Sequence, residues 1–164
     1  MTRPLALALA VLVAACGGAR AEPDPDADFA AVQERGRVAM GVDQYTSTHV
    51  FEDLPDGGRI VLDREDAGDA AGIATIRAHM RDIATAFARG DFALPGFVHA
   101  REVPGTAEMA RLRDRIRYEA VDRPRGAEVR IRAEGDEAVR AVHAFLAFQR
   151  TDHRAAGHEH GPHR

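Results

Sequence analysis

Lysine is absent from this chain of 164 residues: all 22 basic side chains are arginine, set against 26 acids for a net charge of -4. No basic surplus exists to neutralise a phosphate backbone, so nucleic acid is not expected as a partner. Without lysine there is no P-loop, and Gly57-Gly58 stands between two strand-like runs rather than ahead of a helix, so no phosphate cradle is expected. Ser47 is the only serine and lies in no Gly-x-Ser-x-Gly elbow, which removes the common serine-hydrolase constellations. Cys16 is the only cysteine. A disulfide framework, a Cys-x-x-Cys redox pair and a thiolate zinc site are therefore excluded within one chain, and any metal must be held by His, Met or carboxylate. The length and a hydrophobic content of 45% suit one globular domain.

What is present starts with a targeting segment. Residues 1–15 carry one early charge, Arg3, an apolar run over 4–15 and small residues before Cys16, the pattern of an export signal. The run is too short to cross a bilayer, which takes about 20 apolar residues. Val13-Ala14-Ala15-Cys16 resembles the lipobox of bacterial lipoproteins, in which the Cys thiol receives a diacylglycerol and becomes the new N-terminus. The resemblance implies a lipid anchor at Cys16 in the cell envelope. With Gly17 rather than Asp after the cysteine, it further implies the outer membrane, facing the periplasm, in a Gram-negative cell. Residues 16–28 are small, acidic and Pro-containing, and read as a flexible tether.

Two β-rich runs, from Thr46 to Leu54 and from Arg59 to Asp63, flank the turn cluster Pro55-Asp56-Gly57-Gly58 and predict a hairpin. Ile73, Ile76, Met80, Ile83 and Phe87 then recur at spacings of three and four before Gly90, which predicts an amphipathic helix. The same order returns later. Ile116, Tyr118 and Ala120 alternate with polar residues, Arg123-Pro124-Arg125-Gly126 turns the chain, and Ala127, Val129 and Ile131 alternate again. Val139, Val142, Leu146 and Gln149, with Phe145 and Phe148, mark a second helix. The expected fold is α+β: duplicated ββα units forming one antiparallel sheet with two longer helices on one face. Arg117, Arg130 and Arg132, interleaved with Glu119 and Glu128, read as the solvated face of that sheet. The domain is expected over 29–154 and a His-rich disordered tail over 155–164. Between the halves, 91–105 reads as a long irregular connection of the kind that carries function, and Thr106 as the cap of a short helix through Met109 and Leu112.

Histidine is the informative excess, eight in all. His158, His160 and His163 lie in the tail, where they read as loose donors to divalent ions. His49, His79, His99, His143 and His153 lie in the domain and are the candidate metal ligands, accompanied by Met40, Met80 and Met109. Imidazole suits copper, zinc and nickel, and thioether adds a preference for Cu(I), so copper is expected first and zinc second. Each histidine alone has a plainer reading as a hydrogen-bonded packing residue, and Met80 and Met109 read as core. Aligning the halves sets His79 beside His143, where two imidazoles would face each other across the helix pair. At the reference pKa of about 6.5, binding through neutral imidazole should weaken from about pH 7.5 to about 5.5.

The runs Val42-Asp43-Gln44, Thr46-Ser47-Thr48-His49-Val50-Phe51, Phe97-Val98-His99, Pro104-Gly105 with Met109, and Val142-His143-Ala144-Phe145-Leu146-Ala147-Phe148-Gln149 with Asp152-His153 resemble a family of small uncharacterised bacterial proteins. The resemblance spans most of the mature chain and brings no activity with it; it draws attention to His49, His99, His143 and His153. Three classes of function follow. The first is a non-catalytic, lipid-anchored envelope protein that binds a transition metal through histidine. The second is an envelope structural or protein-interaction lipoprotein without metal. The third is a small metal- or His-dependent enzyme with its cleft near Phe97 to Pro104.

Overall fold

The computed structural model describes residues 24–41 and 44–155. The export signal, Cys16 and the tail histidines lie outside the described residues. The chain forms helix α1 (Pro25–Met40), strands β1 (Ser47–Leu54) and β2 (Gly57–Arg64), helices α2 (Ala70–Ala88), α3 (Ala93–His99) and α4 (Thr106–Arg111), strands β3 (Ile116–Arg123) and β4 (Gly126–Ala133), and helix α5 (Asp136–Asp152). It is a mixed α+β domain with a four-stranded antiparallel sheet in the order β1-β2-β4-β3 and five helices.

Both expected hairpins form, each from two strands of eight residues, and the two meet through β2 and β4 at the middle of the sheet. The register puts Phe51, Ile60, Val129 and Ala120 in one row across the four strands. With Leu62, Ala127 and Ile131, that face carries the core. Side chains of the opposite parity form ion pairs on the other face: Arg59 with Glu52 at 2.5 Å, Arg132 with Glu119 at 2.9 Å and Arg123 with Asp63 at 3.1 Å. Asp63 apart, which is buried at 9% exposure, these groups are reached by solvent, and the exposed Arg132–Glu119 pair contributes little, about 0–1 kcal/mol.

Helix α2 starts where Asp69 accepts a hydrogen bond from the Gly72 N–H at 2.9 Å, and it buries Ile73, Ile76, Met80, Ala84 and Phe87. Ala84 takes the buried place read for Ile83, which packs at the margin of the core. Helix α5 buries Ala138, Ala141, Val142, Phe145, Leu146, Gln149 and Arg150. Val142, Phe145, Leu146 and Gln149 are buried as expected, while Val139 and Phe148 are only half-buried at the margin of the stripe. The two helices share one core cluster with the sheet, which sets both on the same face, and the Phe87 and Phe145 rings meet edge to face at 5.8 Å. Helix α2 lies mainly over β3 and β4, and α5 over β1 and β2. The approach of α5 is close: a Cβ on Gly58 would stand 2.2 Å from Leu146 Cδ1 and 2.7 Å from the Glu52 carbonyl oxygen, so only glycine fits there.

Three segments differ from the sequence reading. The stretch 16–28 reads as a tether, yet α1 begins inside it, with Asp24 capping the Asp26 N–H at 3.0 Å and Pro25 at its start. The connection 91–105 contains α3 rather than being irregular throughout. Thr106 is the first residue of α4 and not its cap; its hydroxyl donates to the Val103 carbonyl at 2.7 Å. Among the described residues no helix is long and apolar enough to cross a membrane.

Candidate functional site

Four of the five candidate histidines come together. His49 from β1, His79 from α2, His99 from the end of α3 and His153 from the C-cap of α5 line one cavity of about 80 Å³. The rest of its wall is apolar apart from Gln149, and includes Phe51, Leu62, Met80 and Phe87 from the core, Leu94, Pro95 and Val98 from α3, and Met40 from α1. The long connection between the halves thus supplies part of the cavity wall.

The imidazoles of His49 and His153 stack almost parallel, with ring centroids 5.6 Å apart and planes at 10°. Phe51 closes a triangle of rings with them, 5.6 Å from His153 and 6.2 Å from His49. His99 meets His153 edge-on at 5.0 Å. Four buried side-chain polar atoms lack a hydrogen-bond partner among the described residues: Gln33 Oε1, Tyr118 Oη, His49 Nε2 and His153 Nδ1. Of the residues that own them, only the two histidines line the cavity. A buried polar atom left without a partner costs about 1–3 kcal/mol, so two such nitrogens in one small cavity point to a ligand that would engage them.

The electrostatics keep these rings neutral. Burial, reinforced by the nearby His79, pushes His49 down to about 4. Burial, reinforced by His49 and His99 against the opposing pull of Asp152, pushes His153 down to about 3. His79 is also lowered by burial, with Asp82 opposing. Neutral imidazole is the form that carries a lone pair for a metal or a hydrogen-bond donor.

His99 has a different role from the one its residue type suggests. Its Nδ1 donates to the Asp152 carboxylate, and its Nε2 lies 3.0 Å from Gln149 Oε1. Gln149 can present either its carbonyl or its amide nitrogen there, so both ring nitrogens are partnered and neither is open to an ion. Asp152 also binds Arg101 Nη2 at 2.5 Å, and Arg101 lies over the Phe148 ring at 4.8 Å. His99 therefore forms the partition between the apolar cavity and a polar cleft of about 480 Å³ that is lined by Arg35, Arg101, Asp152 and Arg154. The pairing partners of His99 escape sequence reading, although Gln149 and Asp152 stand three apart on one helix face, the one signal that could have found them.

His143 does not join the others. Its Nε2 lies 3.0 Å from the Leu54 carbonyl and 2.9 Å from that of Gly57, so it donates to both and ties α5 to the first hairpin turn. The expectation that His79 and His143 face each other is corrected accordingly: His143 is a structural clamp, and His79 lines the cavity with His49 instead. Met109 is core, as read, and fully buried, while Met80 is core and also lines the cavity.

Two strained backbone positions flank the site. Ala100, directly after His99, has φ 52°, and Arg154, directly after His153, has φ 48°. A left-handed conformation costs a residue with a Cβ about 1–2 kcal/mol. At Arg154 the strain is held by α1, since its guanidinium pairs with Asp26 at 2.7 Å and lies over the Phe29 ring at 4.3 Å. Ala100→Gly should relieve the strain and raise stability by about 0.5–1 kcal/mol after the entropic cost of glycine, a gain that denaturant titration would register as a higher midpoint at unchanged slope.

Among the described residues no group of three or more His, Cys, Asp or Glu is disposed to hold a metal ion. No protein family, curated protein or solved structure matches this chain.

Proposed function

We propose that the chain is an exported lipoprotein, acylated at Cys16, whose domain binds one transition-metal ion, copper before zinc, in the histidine-lined cavity without catalysing a reaction. The observation that carries this is the pair of buried, unpartnered nitrogens, His49 Nε2 and His153 Nδ1, on stacked rings in one cavity wall. Neutral imidazole next to thioether suits late first-row metals, and the Met40 and Met80 side chains line the same wall. His99, fixed by Asp152 and Gln149, packs against His153 and holds its ring in place.

The enzyme reading has one feature in its favour, the hydrogen-bonded His99 and Asp152. The second nitrogen of that histidine faces Gln149 rather than open space, and Ser47, the only serine, accepts from Arg64 Nη1 at 3.1 Å. The pair supports a holding role. The same proposal takes the domain as two ββα units, each helix lying over the other unit's hairpin. What supports it is the meeting of two equal hairpins through β2 and β4 and the crosswise cover by α2 and α5.

The test is metal analysis of the full chain with His158, His160 and His163 replaced by Ala, so that loose tail donors are silent. After equilibration with zinc, or with copper in the presence and absence of ascorbate, and desalting, about one ion per chain should remain under at least one condition, and His49→Ala or His153→Ala should abolish that retention. Retention in neither metal would remove the metal-binding reading. Labelled fatty acid that still entered a Cys16→Ala chain would remove the lipid anchor.

A further inference from the structure

We infer that the ion this cavity takes is Cu(I), bound as a monocation by His49 Nε2 and His153 Nδ1, and that the site discriminates against dications such as Zn²⁺. The inference rests on the metal-binding reading above and narrows it to one charge state.

Among the described residues lining the cavity there is no Asp, Glu or Arg; the polar members are four histidines and Gln149. The acids nearby stand outside the wall. Asp152, which acts on His153, is bound by His99 and Arg101 on the side of the polar cleft, Asp82 acts on His79 from the exposed side of α2, and the buried Asp53 is bound by Arg150 at 2.8 Å. A cation entering the cavity finds neutral donors and no carboxylate in the wall itself. The cost of bringing an ion into a medium of low polarity rises with the square of its charge, so a dication faces about four times the penalty of a monocation of similar size.

Coordination number points the same way. Zn²⁺ seeks four ligands in a tetrahedron, and Cu²⁺ seeks a tetragonal set of nitrogen and oxygen. The described residues offer no group of three or more His, Cys, Asp or Glu disposed for an ion. The cavity does offer two open imidazole nitrogens on neighbouring rings, with His79 and His99 placed around them and the thioether side chains of Met40 and Met80 in the wall. A d¹⁰ monocation is satisfied by two or three soft, neutral donors, and thioether favours Cu(I) over the harder dications. An apolar wall that includes Phe51, Leu62, Phe87 and Val98 would also keep water from the ion and so favour its reduced state.

The deciding experiment is an anaerobic competition titration of the full chain, with the three tail histidines replaced by Ala. Cu(I) would be presented from a chromophoric chelator under ascorbate, beside parallel calorimetric titrations with Zn²⁺ and Cu²⁺. The expected result is one Cu(I) per chain, bound roughly 100-fold or more tightly than Zn²⁺, a difference of about 2.7 kcal/mol. X-ray absorption of the loaded protein should show two short nitrogen neighbours and at most one sulfur. His49→Ala and His153→Ala, checked for folding by circular dichroism, should each lower Cu(I) affinity roughly 100-fold. Should His153→Ala not fold, His49→Phe, which keeps the ring stack, carries the same expectation. Zn²⁺ bound as tightly as Cu(I) and lost in the same variants would overturn the Cu(I) assignment and leave the metal-binding reading standing. Cu(I) affinity unchanged in a folded His49 variant would overturn the ligand assignment. Absence of any saturable metal would remove both.

Discussion

Brought from pH 7 to pH 4 without metal, the domain is expected to lose on the order of 5 kcal/mol of stability, with most of the loss between about pH 6.5 and pH 4. In the unfolded chain His49 and His153 take up protons near the ordinary histidine pKa of about 6.5. In the folded chain burial holds them off until about 4 and about 3. Between those limits the unfolded state binds more protons than the folded one, so stability rises with pH there and falls as pH is lowered. Each pKa unit is worth about 1.4 kcal/mol, and the two rings repel each other once charged, so their separate losses are not simply additive. The groups around them do not offset the effect. His79 is itself lowered by burial, and Asp152 already holds His99 and Arg101. Since a domain of this size is stable by about 5–15 kcal/mol, the loss brings it close to its unfolding midpoint. Denaturant titrations at pH 7, 5.5 and 4 in the presence of chelator would measure it. A stability that stayed flat over that range, or one whose slope survived His49→Phe with His153→Phe, would show that the two imidazoles are not buried as described.

The same burial would move the pH range over which the proposed site binds metal. From sequence alone the affinity should fade from about pH 7.5 to about 5.5, because a histidine at its reference pKa gains a proton there. With His49 held down to about 4 and His153 to about 3, both lone pairs stay available through pH 5.5. Proton competition therefore starts nearer pH 4, where loss of fold sets in as well.

How much of this is legible in the sequence depends on whether the signal is local. The hairpins are legible because the first is a pair of β-rich runs and the second a pair of alternating ones, each pair around a Pro-containing turn, and α2 because Asp69 caps a stripe spaced by three and four. Helix α1 is hidden because Asp24-Pro25 has the composition of a breaker, although the same two residues make an N-cap followed by the first helical position. Helix α3 is hidden by Pro95 and Gly96, since proline in the first turn of a helix loses only a donor that has no partner there. The composition of the site is legible and its assembly is not. Histidine number and the scarcity of cysteine direct attention to the right residue type. That His49, His79, His99 and His153 share a cavity while His143 holds a hairpin turn depends on how β1, α2, α3 and α5 pack, and no local pattern encodes that. Turn-to-turn alignment places His143 opposite His79 because it compares positions in the chain. The hydrogen bonds of His143 to the Leu54 and Gly57 carbonyls show that the two helices use those positions differently.

Asp53→Ala is expected to cost about 3–5 kcal/mol, the largest loss from any single substitution near the site. Both partners of the pair are buried: Asp53 is 6% exposed and Arg150 9%. The guanidinium grips the carboxylate at two points, Nη1 to Oδ1 at 2.8 Å and Nη2 to Oδ2 at 3.3 Å, and Nη1 also donates to the Phe51 carbonyl at 3.0 Å. Removing the carboxylate leaves a buried positive charge facing a space where its countercharge stood, and the uncompensated desolvation dominates the cost. Replacing both members with apolar residues of similar size, as in Asp53→Leu with Arg150→Met, removes the charge along with its partner and should recover most of the loss. The pair also bears on function, since it fixes the last turn of α5 over β1 and so sets His153 against Phe51 and His49. The apolar double variant should therefore fold yet bind metal less tightly than the parent, because shape alone then holds the stack. Denaturant titration of the single and double variants measures the energetic part. If the single variant lost less than about 1 kcal/mol, the pair would be reached by water and would not be the buried link between helix and strand on which the cavity depends.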